Sequence, residues 1–111
     1  MKNYPDTELS DNAQYWVGES YYIQRKFNEA IQGFDKVLTT YPQGDKAPAA
    51  ALKKGYGLLE IKKNDAGIRE LRLLIQKYSN SDSAQLAKDR LNAMGVSAAD
   101  RFASMRRGGS R

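Results

Sequence analysis

The feature that most constrains this chain is that it resembles itself at a fixed interval of 37 residues. Tyr4-Pro5, Tyr41-Pro42 and Tyr78-Ser79 begin at that spacing, and the same offset carries Ala13 to Ala50 to Ala87, Gly18 to Gly55 and Lys26 to Lys63. It also carries Ile31 to Ile68, Phe34 to Leu71, Val37 to Leu74 and Leu38 to Ile75. Gapless self-similarity of this kind indicates a stacked repeat, in which each unit buries its apolar face against its neighbours.

Within each unit the apolar period is helical. Ala30, Ile31, Phe34, Val37, Leu38 and Tyr41 lie on one face of a helix, and Ile68, Leu71, Leu74, Ile75 and Tyr78 repeat that face. Ala13, Trp16, Val17, Ser20 and Tyr21 form a second stripe, which predicts a helix over 10–23 with a counterpart over 47–61. The polar triplets Gln24-Arg25-Lys26 and Lys62-Lys63-Asn64 are short turns that force the paired helices antiparallel. Pro42 and the Ser79-Asn80-Ser81-Asp82 cluster separate the units. A fifth helix is expected over 83–94, ending at Gly95 as a left-handed cap with Val96 as its apolar contact. No segment alternates with period two over a useful length, so the expected class is all-α.

Mid-helix glycine costs roughly 1 kcal/mol against alanine. Gly18 and Gly55 recur at the repeat offset, so a bulky residue of the facing helix is expected over each, with Ala30 and Gly67 as the matching small positions.

Composition narrows the chemistry. The 111 residues contain no cysteine and no histidine, which removes thiol nucleophiles, disulfides, zinc fingers and imidazole acid–base catalysis. Glu19, Asp35, Glu60, Glu70 and Asp89 are spread over different helices without a paired motif, and neither a phosphate loop nor a nucleophile elbow is present. Neither an enzyme nor a cofactor is expected. The net charge of +5 is concentrated in Asp100, Arg101, Arg106, Arg107 and Arg111, leaving a nearly balanced body that does not suit nucleic acid. No apolar run approaches the roughly 20 residues of a membrane span, and the first residues lack a signal-peptide core. Residues 1–9 read as a lead-in, 10–95 as the folded domain and 96–111 as a flexible basic tail with at most a turn or two of helix.

Gly18, Tyr21, Ala30, Phe34 and Pro42 are spaced as in a tetratricopeptide repeat, and Gly55, Leu58, Gly67, Leu71 and Ser79 form a degenerate second copy. The resemblance implies a right-handed superhelix of two helix-turn-helix repeats, about 10–42 and 47–79, closed by a capping helix. The longer unit, with Ala13-Gln14-Tyr15-Trp16-Val17-Gly18-Glu19-Ser20-Tyr21-Tyr22 and Lys46-Ala47-Pro48-Ala49-Ala50, resembles the carboxy-terminal domain of the YbgF/CpoB family of the Tol–Pal system over about residues 4–95. Lys54, Gly57, Gly67 and Ser79 depart from that family's pattern. The resemblance implies a non-enzymatic periplasmic adaptor that binds TolA, bears on peptidoglycan synthases and coordinates envelope constriction with septal wall synthesis. It also implies that an oligomerising coiled coil precedes the domain in a longer protein. Related repeats occur in outer-membrane assembly lipoproteins.

In such stacks the first helix of each pair lines the concave side. Counting along the first helix selects Asn12, Tyr15, Glu19, Tyr22 and Ile23. Counting along the second selects Ala49, Leu52, Tyr56, Leu59 and Glu60, and along the third Leu86, Asp89 and Ala93. Tyr15, Tyr22 and Tyr56 beside Ile23, Leu52 and Leu59 form the expected protein-binding strip, since tyrosine offers a rigid apolar ring with a polar tip. Trp16 is expected to be structural, covering the open end of the first repeat. Lys53-Lys54 and Lys62-Lys63 read as solvated helix faces. With Asn12, Tyr15 and Glu19 in place of paired cations, an extended or helical partner segment is expected rather than an acidic chain terminus. The alternative to an adaptor is a scaffold that self-associates through its open repeat ends.

Overall fold

The computed structural model describes residues 9–98 of the chain. Among them are five helices and no strand: α1 (Asp11–Ile23), α2 (Phe27–Thr40), α3 (Ala47–Glu60), α4 (Asn64–Lys77) and α5 (Asp82–Ala93). The all-α repeat architecture is as the periodicity requires. Helices α1 and α2 form one antiparallel pair, α3 and α4 a second, and α5 caps the stack. The expected lead-in is described only from Leu9 onward. Residues 99–111, most of the expected flexible tail, lie outside the described residues.

Local chemistry sets the helix ends. Ser10 caps α1 by accepting from the Ala13 amide at 3.1 Å, and Ser81 caps α5 by accepting from Ala84 at 3.0 Å. Helix α3 has no side-chain cap and starts instead with Pro48 in its first turn. The turns within the pairs are left-handed at Arg25 (φ 64°) and Lys62 (φ 67°), positions separated by the repeat offset. Each closes a Schellman motif: Lys26 N–H donates to Tyr21 O and Lys63 N–H to Leu58 O, both at 2.9 Å. Gly95 does the same for α5 at φ 74°, and Val96 N–H donates to Leu91 O at 2.9 Å. Val96 packs on the core, the apolar contact its position predicted.

Within each pair the two helices approach one another at glycine. A methyl group added at Gly18 would lie 2.7 Å from the Phe34 ring, and one at Gly55 would lie 2.7 Å from Leu71. These are the bulky partners that the repeat predicted. Gly67 is the matching small position of the second pair, where a methyl would meet Leu59 at 2.8 Å and Gly55 O at 3.1 Å. In the first pair the closest approach falls at Gly33 rather than at Ala30: a methyl there would lie 2.9 Å from Gly18 Cα. Gln14, buried in the same crossing, donates Nε2–H to Gly33 O at 3.2 Å.

Two core clusters result. One gathers Tyr15, Ala30, Phe34, Val37 and Ala50; the other gathers Ala51, Leu52, Leu71, Leu74, Ala87 and Leu91. Each second helix is also tied down by a terminal tyrosine, Tyr41 Oη donating to Leu9 O and Tyr78 Oη to Pro42 O. Lys54 joins the pairs electrostatically, its Nζ 2.8 Å from Asp35 Oδ1 and 3.4 Å from Glu70 Oε2. The Lys53-Lys54 segment is therefore not a solvated face, because the two side chains diverge into different ion pairs. Lys62 and Lys63 are exposed, as expected.

Gly33→Ala is expected to destabilise the protein by about 2 kcal/mol or more, since its methyl meets backbone that cannot move aside. Denaturant unfolding monitored by circular dichroism measures this against an ordinary helical gain of about 1 kcal/mol for glycine to alanine. Lys62→Gly is expected to have the opposite sign, raising stability by up to about 1 kcal/mol by relieving the left-handed Cβ penalty.

Candidate protein-binding groove

Helix α3 touches both α1 and α5, so the first helices of the units, with the cap, form a continuous layer. Across that layer aromatic rings from one helix are covered by cations from the next. Lys53 Nζ lies 4.8 Å from the centre of the Tyr22 ring and 3.2 Å from Glu19 Oε2. The Arg90 guanidinium lies 4.1 Å from the centre of the Tyr56 ring. Lys46 stands over Tyr15 at 5.2 Å and Trp16 at 5.7 Å. Cation–ring contacts of this kind hold long side chains in one orientation while leaving the charge available to a ligand. At the end of α1, Arg25 covers Phe27 at 5.2 Å and reaches Glu60 Oε1 at 3.8 Å.

The electrostatics show that these groups act on one another. Burial raises the Tyr22 phenol above its ordinary value, and the Glu60 charge adds to this; Arg90 opposes, while Tyr56 and Glu19 raise it further. Tyr15 is raised by burial and then by Glu19. Glu19 Oε2 is satisfied by Lys53, but among the described residues its Oε1 is buried without a hydrogen-bond partner. A buried carboxylate oxygen in that condition retains an unused acceptor beside the ring–cation contacts.

The strip expected from the sequence divides. Glu19, Tyr22 and Tyr56 are half-buried members of the ladder, and Ile23 ends it 72% exposed. Asn12 is exposed on the first turn of α1. Tyr15 and Leu52 are core residues, 8% and 5% exposed. Tyr15 packs its ring 5.5 Å from Phe34, and Leu52 belongs to the second cluster. Leu59 is turned onto Gly67, filling the space that glycine leaves. Trp16 is 56% exposed and stands edge-on to the core residue Tyr15.

Residue counting missed Lys46, Lys53 and Arg90, so the expectation of a groove without paired cations is corrected. The cations come from adjacent helices, and single-helix periodicity carries no signal for a contact made across a helix interface. Leu86, 49% exposed on α5, adds an apolar surface at the far side.

An apolar cleft of about 150 Å³ lies instead between α2 and α4, lined by Leu38, Leu73, Leu74 and Tyr78. It is smaller than the roughly 300 Å³ of ordinary small-molecule sites. Among the described residues no group of three or more acidic side chains could hold a metal ion, and no helix is long and apolar enough to cross a membrane.

Residues 12–44 match the tetratricopeptide repeat family model. The match covers α1, α2 and the start of the turn into α3, one complete unit of the internal repeat. A search of curated proteins finds no match to the chain. The tetratricopeptide repeat is a protein-interaction repeat, and beyond the matched residues the second pair repeats the packing of a bulky side chain over glycine, Leu71 over Gly55, and the left-handed turn, at Lys62.

Stability is expected to fall as pH rises above about 10. The phenols of Tyr15, Tyr22 and Tyr78 are raised above 10.0 by burial, with Glu19 adding for Tyr15 and the groove charges for Tyr22. Burial lowers Lys54, but its bond to Asp35 and the charges of Glu70 and Asp35 outweigh this and raise it above 10.5. A group held higher in the folded state contributes fully below its unfolded value and loses that contribution as pH passes its folded value. Tyrosinate absorbance followed together with helical ellipticity should show the folded chain binding these protons until it unfolds, and Lys54→Met should reduce the slope.

Proposed function

We propose that this chain is a non-enzymatic protein-interaction module that holds a segment of a partner protein along the layer formed by α1, α3 and α5. The observation that carries the proposal is the ladder of Tyr22 under Lys53 and Tyr56 under Arg90, with Glu19 and Glu60 beside it. Ring and cation together offer a rigid, partly apolar surface whose polar groups are already oriented, which lowers the entropy lost on binding. Exposed Ile23 and Leu86 supply apolar contacts at its margins. The match over residues 12–44 supports an interaction role in general.

The finer assignment rests on the resemblance to the YbgF/CpoB family. In this proposal the domain works in the periplasm, binds a TolA-like segment and links envelope constriction to septal peptidoglycan synthesis. Its partner is a protein rather than a nucleic acid or a lipid bilayer.

Titration with the periplasmic region of TolA, observed by NMR, is the direct test. Shifts are expected at Glu19, Tyr22, Lys53, Tyr56 and Arg90. Tyr56→Ala should weaken binding about tenfold, the loss typical of an aromatic anchor worth 1–2 kcal/mol. Shifts confined to α2 and α4 would sink the groove assignment, and their absence at high TolA concentration would remove TolA as the partner.

A further inference from the structure

The cations that cover the rings of the layer formed by α1, α3 and α5 differ in what neutralises them. Lys53 is compensated, its Nζ 3.2 Å from Glu19 Oε2. Lys46 and Arg90 are half-buried, Lys46 against Tyr15 and Trp16 and Arg90 against Tyr56. Among the described residues neither reaches a carboxylate within ion-pair distance. The acids near them are placed otherwise: Asp45 is exposed, Asp11 sets its Oδ2 against Gly44, and Asp89 accepts from Gln85 Nε2–H at 3.1 Å. A cation resting on a ring keeps its remaining N–H groups for an anion.

The repeat fixes where these charges stand. Arg90 is the counterpart of Lys53 at the 37-residue offset, so α3 and α5 each present a cation at the same place, over a ring of the preceding first helix. Lys46 precedes Lys53 by seven residues, about two helical turns, and the rings they cover, Tyr15 and Tyr22, have the same spacing. The charge of Arg90 acts on the Tyr22 phenol, which places the second and third positions close together. With a rise of about 1.5 Å per residue and neighbouring helices about 9 Å apart, Lys46 and Arg90 stand about 14 Å apart directly and about 20 Å by way of Lys53. At the middle position Glu19 Oε1 is buried with no partner among the described residues.

We propose that the partner segment held on this layer is acidic at two points and neutral at a third between them. One carboxylate meets Lys46, another meets Arg90, and a hydrogen-bond donor meets Glu19 Oε1 beside Lys53. The inference rests on the groove reading above and adds the chemistry of the guest. Charge complementarity selects it: two cations already ordered on rings lose little side-chain freedom when they meet an anion. A third carboxylate at the middle would meet a lysine that is already paired and would stand against Glu19, a like charge. The chain's own basic end does not fit the role, since Asp100 is outnumbered there by Arg101, Arg106, Arg107 and Arg111.

The probes are end-blocked decapeptides of serine and leucine with two glutamates, about four or about six residues apart to match the two spans, and a glutamine midway. Each is compared with the peptide in which both glutamates are glutamine, and amide shifts around Lys46, Lys53 and Arg90 report the seat. The better glutamate peptide is expected to bind about fivefold to tenfold more tightly than its glutamine counterpart, an advantage that shrinks as salt approaches about 0.5 M. A third glutamate in place of the central glutamine should add nothing, despite its charge. Lys46→Met and Arg90→Met should each cost about threefold with helical ellipticity unchanged. Lys36→Met with Lys63→Met, which removes two charges from exposed positions outside the layer, should cost nothing. Equal binding of glutamate and glutamine peptides, with shifts at Tyr22 and Tyr56, would overturn this inference and leave the groove reading intact; shifts confined to α2 and α4 would overturn both. A gain from the third glutamate, or an equal loss in the Lys36 and Lys63 variant, would overturn the two-point assignment. So would the absence of shifts at millimolar peptide, the TolA titration then deciding the groove separately. Tighter binding of a decameric oligothymidylate would overturn the choice of a protein guest. Movement of the Lys46 and Arg90 signals in Asp6→Asn with Glu8→Gln, without peptide, would assign the site to this chain's own acids and overturn the partner.

Discussion

Helix–helix approach at glycine is the constraint on which the rest of the structure depends. Gly18 under Phe34 and Gly55 under Leu71 let each pair close until side chain meets backbone, and Gly33 and Gly67 supply the reciprocal space. Each glycine weakens its own helix, and the loss is offset because a large side chain, Phe34 or Leu71, is fully buried over it. Once both pairs close in the same way, α3 is presented to α1 on one side and α5 on the other. The layer formed by α1, α3 and α5 is thus a consequence of the crossings.

The charges divide into two systems separated by one residue of sequence. Lys54 turns toward α2 and α4 and binds the two pairs together through Asp35 and Glu70. Lys53 turns toward α1, where Glu19 and the Tyr22 ring hold it in the groove. Successive residues on a helix are rotated by about 100°, so neighbours in sequence belong to different interfaces. One lysine contributes to the stack and the other to the surface proposed for recognition.

Much of the fold was legible because repetition amplifies weak signals. The recurrence of Gly18 at Gly55 and of the apolar stripe of α2 in α4 identified the pairs, and Gly95-Val96 identified the end of the cap. The left-handed turns at Arg25 and Lys62 were not legible, since their side chains carry no sign of positive φ and the Schellman bonds hold them there. The surface of the candidate site was legible only in part. Helical counting selected Glu19, Tyr22, Ile23 and Tyr56, which the fold leaves half-buried or exposed, together with Tyr15 and Leu52, which it buries, because period alone does not separate the inner edge of a face from its outer edge.

By itself the sequence determined the helical class, the repeat length, that a bulky residue of the facing helix lies over Gly18 and Gly55, and the absence of thiol and imidazole chemistry. These follow from residue type and spacing along one chain. The tertiary structure decided which tyrosines are core and which are surface, that Lys53 and Lys54 part company, and that Lys46 and Arg90 reach rings on other helices. Those outcomes depend on how far one helix lies from the next, a distance set jointly by the side chains of both and therefore not written in either alone.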